Sequence, residues 1–136
     1  MADEGAAAAL IGAAMAALQA VPGLSGVFDG PPIQAGDAHA VVEIGPETDW
    51  GHKSGAGAEL RFAVLIRCGG EGPGRARALS QAARAAIAGI GPALGQWRLV
   101  SLNMLRARQV PGKRKEAGPE WTGVIDYRAR LLRAEA

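Results

Sequence analysis

The sequence predicts an α+β fold in which two helices pack on one face of an antiparallel sheet of about four strands. Two alanine-rich segments, 3–20 and 75–90, have apolar residues at helical spacing. Four segments that favour strands fall into two pairs, and turns rich in Gly and Pro separate them. The predicted order is therefore α-β-β-α-β-β, with each pair of strands forming a β-hairpin.

The first predicted helix, 3–20, starts at Asp3, whose side chain can cap it, and stops before Pro22. Leu10 and Leu18 belong to its apolar stripe, while the other faces are mostly alanine. The helix is therefore expected to pack closely on a sheet or on a neighbouring subunit.

The second predicted helix, 75–90, follows the glycine-rich segment 69–74 and ends at Gly91-Pro92. Phosphate-binding loops also lie between a strand and a helix. The dinucleotide fingerprint, however, requires glycine where this chain has Arg75, and no Gly-Lys-Ser/Thr motif is present. An ordinary strand-to-helix turn is expected at 69–74.

The first strand pair consists of 40–45 and 59–68, after a short extended piece, VFDGPP. Residues of 59–68 alternate between two faces, and one face is apolar. The apolar residues are Leu60, Phe62, Val64, Ile66 and Cys68. Cys68 ends this inward row, which favours a buried and inert thiol.

The second strand pair consists of 97–110 and 121–133, joined by the turn PGKRKEAGPE. The last strand alternates clearly. Its predicted inward residues are Ile125, Tyr127, Ala129 and Leu131. Asp126 and Arg128 take the other face.

Length and composition fit one domain, 1–136, with a core of its own. The net charge of +2 gives no general nucleic-acid signature. A single cysteine excludes an internal disulfide. His39, His52 and Cys68 match no spacing of metal ligands, so no metal and no cofactor are expected. The acidic start, with Asp3 and Glu4, is unlike a signal peptide, so a protein made in the cytoplasm and independent of membranes is expected.

The loop 46–58 contains Asp49, His52 and Ser54, the residue types of a nucleophile triad. Triads are assembled from separate elements, and Ser54 lacks the Gly-x-Ser-x-Gly setting of a nucleophile elbow. A polar turn without catalytic function is the expected role. Trp50 at this tip either contacts another protein or folds back onto the sheet.

Basic residues concentrate on the second strand pair. They are Arg106, Arg108, Lys113, Arg114 and Lys115, with Arg128, Arg130 and Arg133 on the partner strand. Two-stranded ribbons of this kind can bind nucleic acid, which makes a small nucleic-acid-binding domain using the basic hairpin 106–115 an alternative function. Acidic residues are interleaved with the basic ones: Glu116, Glu120 and Asp126. A solvated face or a protein-docking face is therefore favoured over DNA binding.

Several motifs together carry a family resemblance over nearly the whole chain. They are an alanine-rich first helix, VFDGPP, IGPETDWGHKSG, an Arg/Ala-rich second helix, WRLVSLNMLRARQV and a closing WTGVIDYRARLL. The pattern resembles the small tail-completion, or tail-terminator, proteins of long-tailed phages and of the gene transfer agents of alphaproteobacteria. IGPETDWGHKSG and the closing strand are its most specific parts, and neither is a catalytic motif.

The resemblance implies a structural assembly protein and no enzyme activity. Such proteins form a ring, commonly a hexamer, at the head-proximal end of the tail tube, where the ring stops polymerisation of the tube protein and meets the head-tail connector. The implied partners are other copies of the chain, the major tail tube protein and the connector, with DNA only in passage. The implied location is the cytoplasm during assembly and then the tail-head junction. The family offers no site residues to carry over; the interface residues expected from the sequence are Trp50, His52, Lys53, Arg108, Lys113, Arg114, Lys115 and Trp121.

Overall fold

A computed structural model describes residues 5–114 and 118–134. Two helices and six strands are described, and their bounds follow in chain order. They are α1 (Ala6–Gln19), β1 (Gly26–Asp29), β2 (His39–Asp49), β3 (Gly57–Gly69), α2 (Gly74–Ala88), β4 (Ala93–Leu94), β5 (Trp97–Arg114) and β6 (Gly118–Arg133). The strands form one sheet in the order β1-β2-β3-β6-β5-β4.

The α+β class, the two helices and the two central hairpins are confirmed, but the prediction of about four antiparallel strands is wrong. The sheet has six strands and is mixed, because β1 pairs in parallel with β2. β1 is the VFD of the short extended piece, and the connection 30–38 returns the chain to the same end of the sheet before β2 begins. β4 adds only two residues at the other edge, opposite Trp97 and Arg98.

The helices end one residue (α1) and two residues (α2) before their predicted ends, and α2 begins one residue earlier than predicted, at Gly74. Gly5 occupies the position before α1, while the predicted cap, Asp3, lies outside the described residues. The predicted stripe of α1 faces the core, since Leu10 and Leu18 are buried.

All four predicted strands, β2, β3, β5 and β6, extend beyond their predicted bounds into segments that had been expected to be loops. β2 continues to Asp49, with a bulge between Ile44 and Glu47 that takes up Gly45 and Pro46. β5 continues to Arg114, and β6 already begins at Gly118. A strand that pairs on one side only tolerates Gly and Pro at a bulge or at an open edge, so these residues do not end the strands.

The core lies between the helices and one face of the sheet. The predicted inward rows of β3 and β6 are confirmed as buried. Phe62 and Tyr127 stack within this layer, with ring centroids 4.9 Å apart and planes 11° from parallel. The opposite face of the sheet carries alternating charged residues and has no helix against it in the described part of the chain.

Helix α2 approaches the sheet most closely where β6 has Gly123. A β-carbon built at Gly123 would overlap the Ser80 hydroxyl and lie 3.1 Å from Gln109 Oε1. Glycine therefore leaves the space that the buried Ser80 side chain occupies. The packing of α2 on the sheet therefore explains why the closing segment WTG has glycine, Gly123, as its third residue.

Candidate functional site

The two hairpin tips lie at opposite ends of the sheet. At one end, Gly57 pairs with Leu132, which also pairs with Arg98 near the start of β5, so the turn 50–56 extends beyond this end. At the other end, Gly69 pairs with Glu120 near the start of β6, and the β5–β6 tip lies there. The molecule thus presents two different turns along one axis, the direction of its strands.

The turn 50–56 is organised by local hydrogen bonds. The amide and carbonyl groups of His52 and Gly55 exchange hydrogen bonds at 3.0 and 3.1 Å, which closes a tight turn around Lys53 and Ser54. The Gly51 amide donates to Asp49 Oδ1 at 2.9 Å, and the Ser54 amide donates to His52 Nδ1 at 3.2 Å. Asp49 and His52 therefore act on neighbouring backbone groups, as turn residues do.

Trp50 is half-buried and contacts the uncovered face of the sheet. The Arg130 guanidinium lies 5.5 Å from the centroid of its ring, within the range of a cation–π interaction. Arg130 Nε also donates to Glu59 Oε1 at 2.8 Å. Trp50 thus packs on a charged pair of the sheet and is positioned by it.

The pKa of Glu59 lies below its ordinary value. The hydrogen bond from Arg130 is the main cause; desolvation opposes it, and the positive charges of Arg130, Arg128 and Arg61 add to it. A carboxylate among guanidinium groups thus stays ionised at a lower pH than a free one.

The basic hairpin is partly neutralised by acidic residues of the same sheet. Arg106 Nε donates to Asp126 Oδ2 at 2.9 Å across the strands. Arg108 and Lys113 are exposed, Arg114 ends β5, and Lys115 lies outside the described residues. This alternation of sign is more typical of a surface that orients a protein partner than of a phosphate-binding track.

Trp121 is half-buried at the start of β6. It packs against a small buried cluster that includes Cys68 and Ala76, separate from the main core. Its side chain therefore joins the first turn of α2 to the sheet.

The sequence did not predict that two edges of the sheet are open. β1 pairs with β2 only up to Val42, and β4 pairs with β5 only at Trp97 and Arg98. Among the described residues, no strand pairs with the outer side of 43–49, here called the β2 edge, or of 99–106, here called the β5 edge. Four of the five large apolar side chains exposed in the described chain belong to these edges: Ile44, Val100, Met104 and Leu105. The signal was available in WRLVSLNML, where apolar residues occupy both faces of one strand.

Tyr127 gives the buried layer a spectroscopic reporter, because it is the only tyrosine of the chain. Burial raises its pKa from the ordinary 10.0 to about 12, against a smaller lowering effect of Arg84. Between pH 10 and 12, the Tyr127 hydroxyl keeps its proton in folded protein but has lost it in unfolded protein. Its contribution to the free energy of unfolding is therefore fully present below pH 10 and is lost as the pH rises through 12.

We therefore expect tyrosinate absorbance near 295 nm to appear about two pH units later in native than in urea-unfolded protein. The Tyr127→Phe variant should lack this absorbance and should lose less stability between pH 10 and 12. Titration of native Tyr127 at its ordinary pKa would contradict the buried position of the hydroxyl.

Comparison with known protein families gives a match over most of the chain. The profile of the family described as "Tail completion protein gp17" matches residues 7–132. The chain belongs to the tail completion protein gp17 family. The matched region contains both helices and nearly all of the sheet, including both open edges. This gp17-family chain is accordingly a structural protein of a phage-type tail, and its family is not one of enzymes.

A solved structure agrees with this assignment. The chain is similar to a chain of the structure titled "Virion of native gene transfer agent (GTA) particle", with a TM-score of 0.61 and 29% sequence identity. The similarity covers 96% of this chain and 99% of that chain. Among curated proteins, none matches the sequence.

The described part of the chain has neither a cluster of metal ligands nor a membrane-spanning helix. Within residues 5–114 and 118–134, His, Cys, Asp and Glu side chains form no group of three or more that could hold a metal ion. Neither described helix has the length and apolar character needed to cross a bilayer.

Proposed function

We propose that the protein forms a ring, with six subunits as the expected number, at the head-proximal end of the tail of a gene transfer agent or a related phage-like particle. There it stops polymerisation of the tube protein and joins the tail to the head connector. The observation that carries the proposal is the family match over residues 7–132. The full-length similarity to a chain of a gene transfer agent virion supports the choice of particle.

The placement of the hairpin tips supports a role at a junction. A terminating ring has to meet two different partners, one on each side. The subunit offers Trp50, His52 and Lys53 at one end of the sheet and Lys113 and Arg114 at the other, with Arg108 further back on β5. With the strands along the particle axis, each turn meets one axial partner. Trp121, near the second end, packs on the cluster of Ala38, Cys68 and Ala76.

The charge pattern favours protein docking over nucleic-acid binding. Arg106 and Arg130 both have carboxylate partners within 3 Å. Charge that is already paired contributes little to counterion release on binding phosphates. DNA therefore enters this proposal only as cargo that passes through the ring.

The ring can be tested directly. Purified protein, alone and mixed with tube protein, should show closed rings of uniform diameter by negative-stain microscopy. Native mass spectrometry of the same samples should give one dominant oligomer. Antibody labelling of particles should place the protein at the tail-head junction. A strict monomer that forms no ring with tube protein and is absent from particles would overturn the proposal.

A further inference from the structure

The two open edges lie at the same height on the sheet. Cross-strand pairing connects Glu43 through Ala63 and Asp126 to Arg106. The next row connects Ile44 through Phe62 and Tyr127 to Met104. Each row therefore begins at the β2 edge and ends at the β5 edge.

The ends of these rows are chemically complementary. The first row ends in the carboxylate of Glu43 on one side and in the Arg106 guanidinium on the other. The second ends in Ile44 and Met104, which are each 40% exposed. A third row ends in the hydroxyl residues Thr48 and Ser101. Opposite charges, apolar pairs and hydroxyl pairs are the cross-strand neighbours that stabilise antiparallel sheets.

We propose that the β5 edge of one copy docks along the β2 edge of the next copy, so that the sheet continues from subunit to subunit. This inference rests on the ring proposed above and names its lateral contact. β2 and β5 run in opposite directions in the sheet, because each pair of neighbours from β2 to β5 is antiparallel. A β5 edge placed beside a β2 edge thus forms an antiparallel pair, the more stable kind of ladder.

The short outer strands fit this contact. β1 covers β2 up to Val42, while β4 covers β5 up to Arg98. The uncovered segments, 43–49 and 99–106, lie at the same levels; beyond Arg106, β5 runs at the level of β1 and has to leave the shared sheet at its irregularity between Met104 and Arg106. A neighbour can dock along these segments without axial displacement, and such a contact between two different surfaces closes into a ring when the rotation between copies divides a full turn.

The bulge in β2 limits the backbone ladder. Pro46 has no amide hydrogen, so one donor is missing from the β2 edge. β5 has its own irregularity between Met104 and Arg106. The exposed apolar side chains beside these bulges, Ile44 and Leu105, are expected to make the central contact between copies.

Disulfide trapping tests the contact. The double variant Ile44→Cys/Met104→Cys places one thiol at each end of the same row, and directly opposed residues of neighbouring strands have Cα separations that a disulfide can span. On mild oxidation we expect a non-reducing gel to show a ladder of covalent oligomers up to the ring size, which reducing agent returns to monomer. The oxidation uses whichever preparation contains wild-type rings, either purified protein or intact particles.

Three matched controls carry the same native Cys68, which is buried. Ile44→Cys and Met104→Cys alone should give no disulfide-linked dimer, because a head-to-tail contact does not bring equivalent residues together. Ile33→Cys/Met104→Cys should also give none, since Ile33 is fully exposed outside both edges.

Rings by microscopy without an Ile44–Met104 ladder would overturn the edge contact and leave the ring function intact. Wild-type protein without rings, alone or on particles, would overturn the function itself. A disulfide-linked dimer from either single variant would instead indicate a symmetric contact between equivalent edges, which also contradicts the proposal.

Discussion

Replacing Gly123 with valine is expected to lower the free energy of unfolding by about 3 kcal/mol, the upper part of the range for overpacked sites. The first side-chain carbon would overlap the Ser80 hydroxyl and approach Gln109 Oε1. Ser80 is on α2 and is buried, so the helix has to move away from the sheet to make room. Urea unfolding followed by circular dichroism would measure the loss.

The matched control is Thr122→Val, one residue earlier on the same strand and on the face without helices. This variant should change stability by less than about 1 kcal/mol. The pair Gly123→Ala and Ser80→Ala gives a stricter test. Removing the Ser80 hydroxyl should restore part of the stability that Gly123→Ala loses, giving a favourable coupling energy in a double-mutant cycle. Strict additivity of the two changes would contradict the close contact.

The second large effect concerns assembly. If Glu43 of one copy faces Arg106 of the next, Glu43→Arg alone should fail to form rings, because two guanidinium groups would then oppose each other. Arg106→Glu alone should fail for the corresponding reason. An equimolar mixture of the two variants should recover rings, because every contact between unlike copies is again a carboxylate with a guanidinium. Native mass spectrometry would report the recovery and the alternating composition.

Arg106 also contacts Asp126 within its own subunit at 2.9 Å. Arg106→Glu therefore needs circular dichroism to establish that the monomer is folded. Glu43→Gln is the milder control and should weaken rings without abolishing them. A mixture that assembles no better than either single variant would show that Glu43 and Arg106 do not meet across the contact.

The parts of this fold that sequence could predict are those with strong periodicity. Alternation of Leu60, Phe62, Val64 and Ile66 defined the buried face of β3, and helical spacing of Leu10 and Leu18 oriented α1. These patterns are produced by burial on one side, which acts on every second or every third to fourth residue. Long-range pairing has no such local signature. β1 and β4 were missed because they are short and are held by partners distant in sequence.

The candidate site was predicted less well for a related reason. Trp50 and the basic hairpin were visible from composition, but the contact of Trp50 with Arg130 depends on a strand 80 positions later in the numbering. The segment GPETD contains glycine and proline and was interpreted as a loop, although it continues β2 through a bulge. Once the segment GPETD is assigned to β2, the unpaired β2 edge can be recognised. Glu43 and Ile44 gain significance only once the row that ends at Arg106 and Met104 is known.

The opposite placement of the two hairpin tips has a consequence for the direction of the proposed ring. Here one end of the subunit presents the tight His52–Gly55 turn beside Trp50, and the other presents the basic tip reached by Lys113. Two such unlike surfaces make the subunit directional along its strands. In the proposed ring, every subunit would therefore present the turn 50–56 to one axial partner and the far end of β5 and β6 to the other.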